Sequence, residues 1–376
     1  IRWLFFMNTK NKESQFLFCP GPVNVDEAVK SAVNNEIGHR EPEFSTLLGS
    51  INSKILRLFG ENPERSSYQP VVVTGSGTAA NETVFSSAVG SRTILILSNG
   101  EFGERLIEIS RLHNPNTMVL QQPWGERLDL AQLEAYLKKN PVDILALVHH
   151  ETSTGMLNPI KKIGALAKKY KKTYIVDAVS SAGAEKINIA DCNISFLTTS
   201  ASKAIGSLPG VSIVVGKKDE FEKLKGIPPR TIYLNLYKFY KFAKENVQTP
   251  NTPAVQSFFA LEQALINMLK RSDAHYKHVE YMATFCRSGL KKLGLEFMLE
   301  EKDMCSVLTN VRAPEYLDVG ALKQELKKRN IVIYDGKGVL KNKVFQVSII
   351  GNLDRKDIAI FLKNLKEILE AFRKRA

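Results

Sequence analysis

Lys203 sits in SASKAIG, a stretch of small residues that gives a long cationic side chain little to pack against. A lysine stripped of water loses part of its preference for the charged form, and the free amine can form a Schiff base with a carbonyl. An ordinary surface lysine in a loop would read the same way. One strand earlier, TYIVD ends on Asp177. A buried carboxylate needs a cation or several donors. A protonated pyridine nitrogen would serve, and the charge it keeps makes that ring a better electron sink. A structural aspartate capping the turn before Ser180 is the plainer alternative. A third segment, VVVTGSGTAANETVF, ends a strand at Thr74 and passes through Gly75, Ser76, Gly77 and Thr78 into a helix expected to begin near Ala79. Small residues let the backbone approach an anion, and the helix start offers free N–H groups at the positive end of its dipole. Ser76 and Thr78 add hydroxyls. A simple turn capped by Thr78 is the competing reading. The dinucleotide fingerprint is excluded, because it needs a third glycine further on. What joins the three segments is their order: phosphate cup, aspartate, lysine, each directly after a strand.

The elements that must hold these residues alternate. β-branched runs predict strands at 71–74, 93–98, 118–120, 144–148, 173–176, 194–198 and 211–215. Helical patterns at 79–89 and 160–170 fall between them. Such alternation implies an α/β fold with a mostly parallel sheet and helices on both faces. Ligands of these sheets bind at the carboxyl ends of the strands, where all three segments lie. Near Pro250 the prolines of TPNTP break the pattern, and one long helical stretch is expected over 254–293. The rest reads strand, helix, strand, strand, helix, closing with a helix at 354–374. The expected division is a tail at 1–15, a large domain at 16–253 and a smaller α+β part at 254–376.

Composition narrows the function classes. The chain has 376 residues, 44% hydrophobic and 24% charged, as in an ordinary globular enzyme. Its four cysteines are scattered without a CxxC pair, so neither a zinc site nor a disulfide framework is expected, and a reducing cytoplasm is. No apolar run nears the roughly 20 residues that span a bilayer. The run at 3–6 is too short for a signal-peptide core, and Met7 could be the natural first residue. The net charge of +13 raises the question of nucleic acid. Its lysines, however, fall in KKIGALAKKYKK and FLKNLKEILEAFRKR at helix spacing, which predicts solvated helix faces and no nucleic-acid partner.

From about Phe16 to its C-terminus the chain resembles the class V branch of the fold-type I pyridoxal-phosphate (PLP) aminotransferases. CPGPVNV and IGHREPEF resemble the family's N-terminal segment, whose proline–glycine turn, here Pro20 and Gly21, lines the site. SNGEFGER resembles the segment whose aromatic ring, here Phe102, stacks on the cofactor. HHETSTGMLNPI resembles the one whose hydroxyl, here Thr152, reaches the cofactor ring. VDAVSS and SASKAI match the aspartate and lysine, with Ser200 as a further cofactor contact. QTPNTP resembles the crossover whose threonine, here Thr252, reaches the phosphate held by a partner subunit. The resemblance thus implies PLP as cofactor, a homodimer with shared sites, an amino donor and a 2-oxo acid.

Within the branch, ETSTGMLNPI, KTYIVDAVSS, PRTIYLNLY and VIYDGK are similar to the 2-aminoethylphosphonate–pyruvate transaminases more than to the alanine–glyoxylate and serine–pyruvate enzymes. Arg40 and Arg230 then become candidates to meet a phosphonate, for which an arginine fork is suited. For Arg40 a surface or interface salt bridge is an equal alternative. One position departs from the family: the strand that carries its carboxylate-binding arginine has Gln346 there. A lyase or desulfurase on the same fold is the rival class. A desulfurase needs a mobile thiol, and Cys305, expected to open the strand CSVLTNV, reads as structural.

Overall fold

Short runs of Val, Ile, Leu and Thr that are apolar on both faces are covered only inside a sheet flanked by helices on each side. The computed structural model, which describes residues 15–374, builds that arrangement. The strands are β1 (Tyr68–Thr74), β2 (Ile94–Ser98), β3 (Thr117–Gln121), β4 (Ile144–Val148), β5 (Thr173–Asp177), β6 (Phe196–Ser200) and β7 (Val211–Lys217), ordered β1-β7-β6-β5-β4-β2-β3. Only β7 runs against its neighbours; the other pairings are parallel. The carboxyl ends of β1, β2, β4, β5 and β6 therefore open on one edge.

Alternate residues of a strand face opposite layers. Val73, Ile96, Ala146 and Ile175 pack with Val84, Phe85 and Leu106, from the helices α2 (Gly77–Ala88) and α3 (Glu101–His113). Val72, Leu97, Leu147 and Val176 pack with Ile51, Ile163 and Leu261, from α1 (Pro42–Leu58), α4 (Ile160–Lys169) and α5 (Val255–Arg271).

Three expectations shift. The strand read at 194–198 is Phe196–Ser200. Ser200 pairs with Ser212 of β7, while the Ile194 carbonyl accepts the Tyr68 hydroxyl at 3.0 Å before the strand begins. Helix α2 starts at Gly77, so Ser76 rather than Thr78 holds the N-cap position. The stretch at 254–293 is two helices, α5 and α6 (Asp273–Lys292), broken at Ser272, where φ is 45° and ψ is −135°. Helix α5 packs on α1, whereas α6 packs on the last helix, so one straight rod could not serve both.

The C-terminal part carries a three-stranded antiparallel sheet of β8 (Leu308–Arg312), β9 (Tyr334–Asp335) and β10 (Val344–Ser348), ordered β8-β10-β9. Helices α7 (Val319–Lys328) and α8 (Arg355–Arg373) accompany it, and α8 opens on a capping box between Asp354 and Asp357. Phe16–Leu17 pairs parallel with Ile331–Val332. We propose that the boundary near residue 253 separates two units that this pairing ties together. The turn at 19–22 is thereby held over the sheet edge. The tail readings at 3–6 and Met7 lie outside the described residues. Among the described residues no helix is long and apolar enough to cross a membrane.

Candidate active site

Asp177 is the last residue of β5 and is buried. Its Oδ2 accepts from Asn81 Nδ2 at 2.6 Å and its Oδ1 from the Val179 amide at 2.8 Å. Asn81 is itself oriented by Thr198, whose hydroxyl donates to Asn81 Oδ1 at 2.5 Å. A carboxylate offers about four acceptor positions, so two remain after these bonds. Burial pushes the Asp177 carboxyl above its usual range, against the bonds from Val179 and Asn81 and the charges of Arg105 and Lys203. A cation placed on its free side would relieve that cost.

The start of α2 faces the same edge. Gly77 lies so close to Val179 that a Cβ there would fall 2.6 Å from Val179 Cγ1. Glycine at 77 thus locks the helix start onto the loop that follows Asp177. Ser76 is exposed and its side chain makes no capping bond. The Gly77 and Thr78 amides, in the first turn, have no helical acceptor. The Ala254 amide donates to Thr74 Oγ1 at 3.2 Å, which anchors the TPNTP segment beside this cup, and Thr252 there is exposed.

Lys203 follows β6 in a tight turn in which the Gly206 amide donates to the Lys203 carbonyl at 2.9 Å. The hydroxyls of Ser200 and Ser202 are 3.1 Å apart. The proline–glycine turn lies directly on the lysine: at Gly21, where φ is +130°, a Cβ would fall 2.5 Å from Lys203 Cδ and 2.6 Å from Nζ. Pro20 beside it is buried. Burial pushes the Lys203 ammonium below the ordinary lysine range; Lys337 and Arg105 push the same way, while Cys19 and Asp177 oppose them.

Glu151 fixes the third wall. Buried at the start of α3, it accepts from the amides of Phe102, Gly103 and Ser153 and from the Ser153 hydroxyl. Phe102 is thereby held in the first turn of α3. The carbonyl of the next residue, Thr152, accepts from Gln346 Nε2 at 2.8 Å, and the same nitrogen donates to Asn310 Oδ1 at 3.1 Å. Gln346 is buried, and its Oε1 has no partner among the described residues.

The structure thus gathers Asp177, Lys203, Ser200, Gly21, the cup at 76–78, Phe102, Thr152 and Gln346 on the edge where β1, β2 and β4–β6 end. Two candidates are not gathered. Arg230 donates to the Gly90 carbonyl at 2.9 Å. Gly90 follows α2, so within one chain Arg230 lies at the opposite edge of the sheet. The exposed Arg40 makes no salt bridge among the described residues; it donates to the Thr249 carbonyl at 2.7 Å and clasps the first residue of TPNTP. The sequence reading passed over Asn81, Cys19, Arg105 and Lys337. Asn81 had a signal, a polar residue beside Ala80 on the apolar side of α2. Lys337 had only its place at the end of VIYDGK, which does not show where its charge goes, because its neighbours come from elements far away in the chain. Cys305 precedes β8 rather than opening it. Its thiol donates to Glu185 at 3.2 Å and burial pushes it far above the usual range, which is the state of a structural cysteine.

The family model for aminotransferase class-V matches residues 25–361. The chain belongs to the class-V aminotransferase family. It is similar to 2-aminoethylphosphonate–pyruvate transaminase of Bacillus cereus, 30% identical over 354 residues that cover 93% of this chain and 96% of that one. An uncharacterized aminotransferase of Methanocaldococcus jannaschii is 31% identical over 92% of this chain and 90% of its own length. The solved structure of alanine–glyoxylate aminotransferase from Nostoc sp. superposes with a TM-score of 0.89 at 28% identity, covering 95% of each chain. The fold is that of the fold-type I aminotransferases, and the class-V enzyme is a PLP-dependent transaminase. The site fits that cofactor on its own terms: a buried carboxylate with no ion pair among the described residues, a desolvated lysine, and a helix start stripped of side-chain bulk by glycine.

Proposed function

We propose that this class-V transaminase exchanges an amino group between 2-aminoethylphosphonate and a 2-oxo acid such as pyruvate, giving phosphonoacetaldehyde and alanine, or runs the reverse. The observation that carries the substrate is the similarity to the Bacillus cereus enzyme along nearly the whole chain. When bound, PLP supplies an electron sink that stabilises negative charge on the substrate carbon. Lys203 is the residue to hold it covalently. Asp177 would keep the ring nitrogen protonated. Ser76, Gly77 and Thr78 at the start of α2 would hold the phosphate, with Thr252 reaching it from a partner subunit of a homodimer. Phe102 would cover one face of the ring, and Thr152 and Ser200 would contact it.

The lowered proton affinity of Lys203 suits a second task. The amine form of a lysine can take a proton from carbon and return it, and burial favours that form here. The Gly21 turn lies against Nζ and limits where that amine can move. The four cysteines are free and buried, which suits a reducing compartment such as the cytoplasm. The second reading is an alanine–glyoxylate type of exchange, favoured by the likeness to the Nostoc structure.

The test is a donor screen on the purified holoprotein. 2-Aminoethylphosphonate, alanine and serine are offered with pyruvate or glyoxylate while the cofactor's visible spectrum and the products are followed. Turnover of 2-aminoethylphosphonate with pyruvate well above the other pairs is expected. Preference for alanine with glyoxylate would replace the proposal by the second reading. Borohydride reduction should fix the cofactor on the Lys203 peptide, and a label on another lysine would refute that residue's role.

A further inference from the structure

Gln346 brings no charge to the site, and its amide is already committed to Thr152 and Asn310. A transaminase of anionic amines still needs a cation there. The nearby lysines of the same strand do not supply it, since Lys341 and Lys343 are both exposed before β10. A different lysine reaches across. Lys337, in the turn between β9 and β10, puts Nζ 4.8 Å from the centre of the Phe102 ring and 3.2 Å from Glu101 Oε1. Arg105, one helical turn beyond Phe102, lies 4.7 Å from the same ring and 3.2 Å from the same oxygen. Lys337 and Arg105 thus both stand beside the Phe102 ring and share one Glu101 oxygen.

The position of Lys337 is built by the fold. Gly336 fits against the Leu340 carbonyl where a Cβ has no room, and Gly338 takes φ +46° with the Trp124 ring packed on it, 2.7 Å from where a Cβ would be. Trp124 is itself tied to α3 by a 2.7 Å bond from its indole N–H to Glu104. The turn is thus clamped onto the helix that carries Phe102. The charge of Lys337 is among those that lower the proton affinity of Lys203, after burial.

We propose that Lys337, with Arg105 beside it, binds the anionic end of the substrate in place of the arginine that the family resemblance expects at position 346. The inference rests on the reading of the chain as a transaminase of small anionic amines. The ligand chemistry is a carboxylate or phosphonate, exchanged for the carboxylate of Glu101 as partner. An ammonium is a compact point charge without the fixed fork of a guanidinium. A site built on Lys337 should therefore accept a carboxylate and a phosphonate in turn, as both halves of the exchange require.

The experiment uses the holoprotein and two readouts, calorimetric binding of pyruvate and of methylphosphonate, and steady-state kinetics. Loss of one charged hydrogen bond corresponds to roughly ten- to a hundredfold in affinity. Lys337→Met should weaken both anions and raise KM by about that factor, with kcat and the visible spectrum little changed. Lys337→Arg should keep most of the binding. Gln346→Arg in the Lys337→Met background should recover pyruvate, and Lys343→Met should match the wild type. Binding of both anions by Lys337→Met as tightly as by the wild type would overturn the inference while leaving the transaminase reading in place. Loss of binding in Lys337→Met, in a protein that turns over none of the proposed amines, would uphold the inference and sink the substrate reading.

Discussion

Asn81 Nδ2 donates to Asp177 Oδ2 across 2.6 Å, joining the second turn of α2 to the end of β5. The bond gives the buried carboxylate one of its two donors and fixes which way it points. Thr198 completes the chain from β6. A single amide thus sets the relation between the helix that would form the phosphate cup and the aspartate that would face the ring nitrogen.

Replacing that amide should be costly. Asn81→Leu leaves the Asp177 oxygen and the Thr198 hydroxyl without their partner, and an unmade buried bond costs about 1–3 kcal/mol. Urea denaturation of the cofactor-free protein measures it. A loss below the scatter of exposed α2 substitutions would show that Asp177 finds another donor.

Gly21 has no room for a side chain. A methyl group there would overlap Lys203 Cδ and Nζ, at a φ of +130° that costs a non-glycine residue about 1–3 kcal/mol. Gly21→Ala is expected to fold with that penalty and to lose covalent cofactor binding, read as visible absorbance per chain. Full absorbance in Gly21→Ala would mean that the 19–22 turn yields and does not confine the lysine.

His149 and His150, just past β4, are buried, and burial holds both rings neutral down to about 3. The unfolded chain takes up these protons near 6.5. Folded affinity lies below unfolded affinity, so their contribution to stability is complete above about pH 6.5 and is lost as pH falls from there toward about 3. The slope is at most about 1.4 kcal/mol per pH unit for each ring. Neither nitrogen of His150 has a partner among the described residues, so His150→Phe breaks no hydrogen bond. Denaturation midpoints measured from pH 7 to 4 should fall less steeply in that variant. An unchanged slope would place the titration elsewhere.

A site shared between two subunits, as proposed, predicts complementation. Lys203→Ala and Thr252→Ala subunits, each inactive or weakened, should form mixed dimers holding one intact site, with tighter cofactor binding than Thr252→Ala alone. Mixing that restores nothing, with dimers confirmed by sedimentation, would confine Thr252 to its own chain.

The sequence alone was enough for the order of the strands' chemistry. Lys203, Asp177 and the small residues at 75–78 each stand directly after a β-branched run, and a strand's end is a local signal carried by neighbouring residues. The same holds for the α/β class, since alternation of periods two and 3.6 is written along the chain. The two-residue slip of β6 and the break at Ser272 were not legible, because β7 pairing and the divided packing of α5 and α6 set them. Nor was the fate of the cations. Arg230 looked suited to an anion and lies at the far edge, while Lys337 crosses from another sheet to Phe102. Which charged side chains meet is decided by how separate elements pack, and a long flexible side chain gives no sign of that in its immediate neighbours.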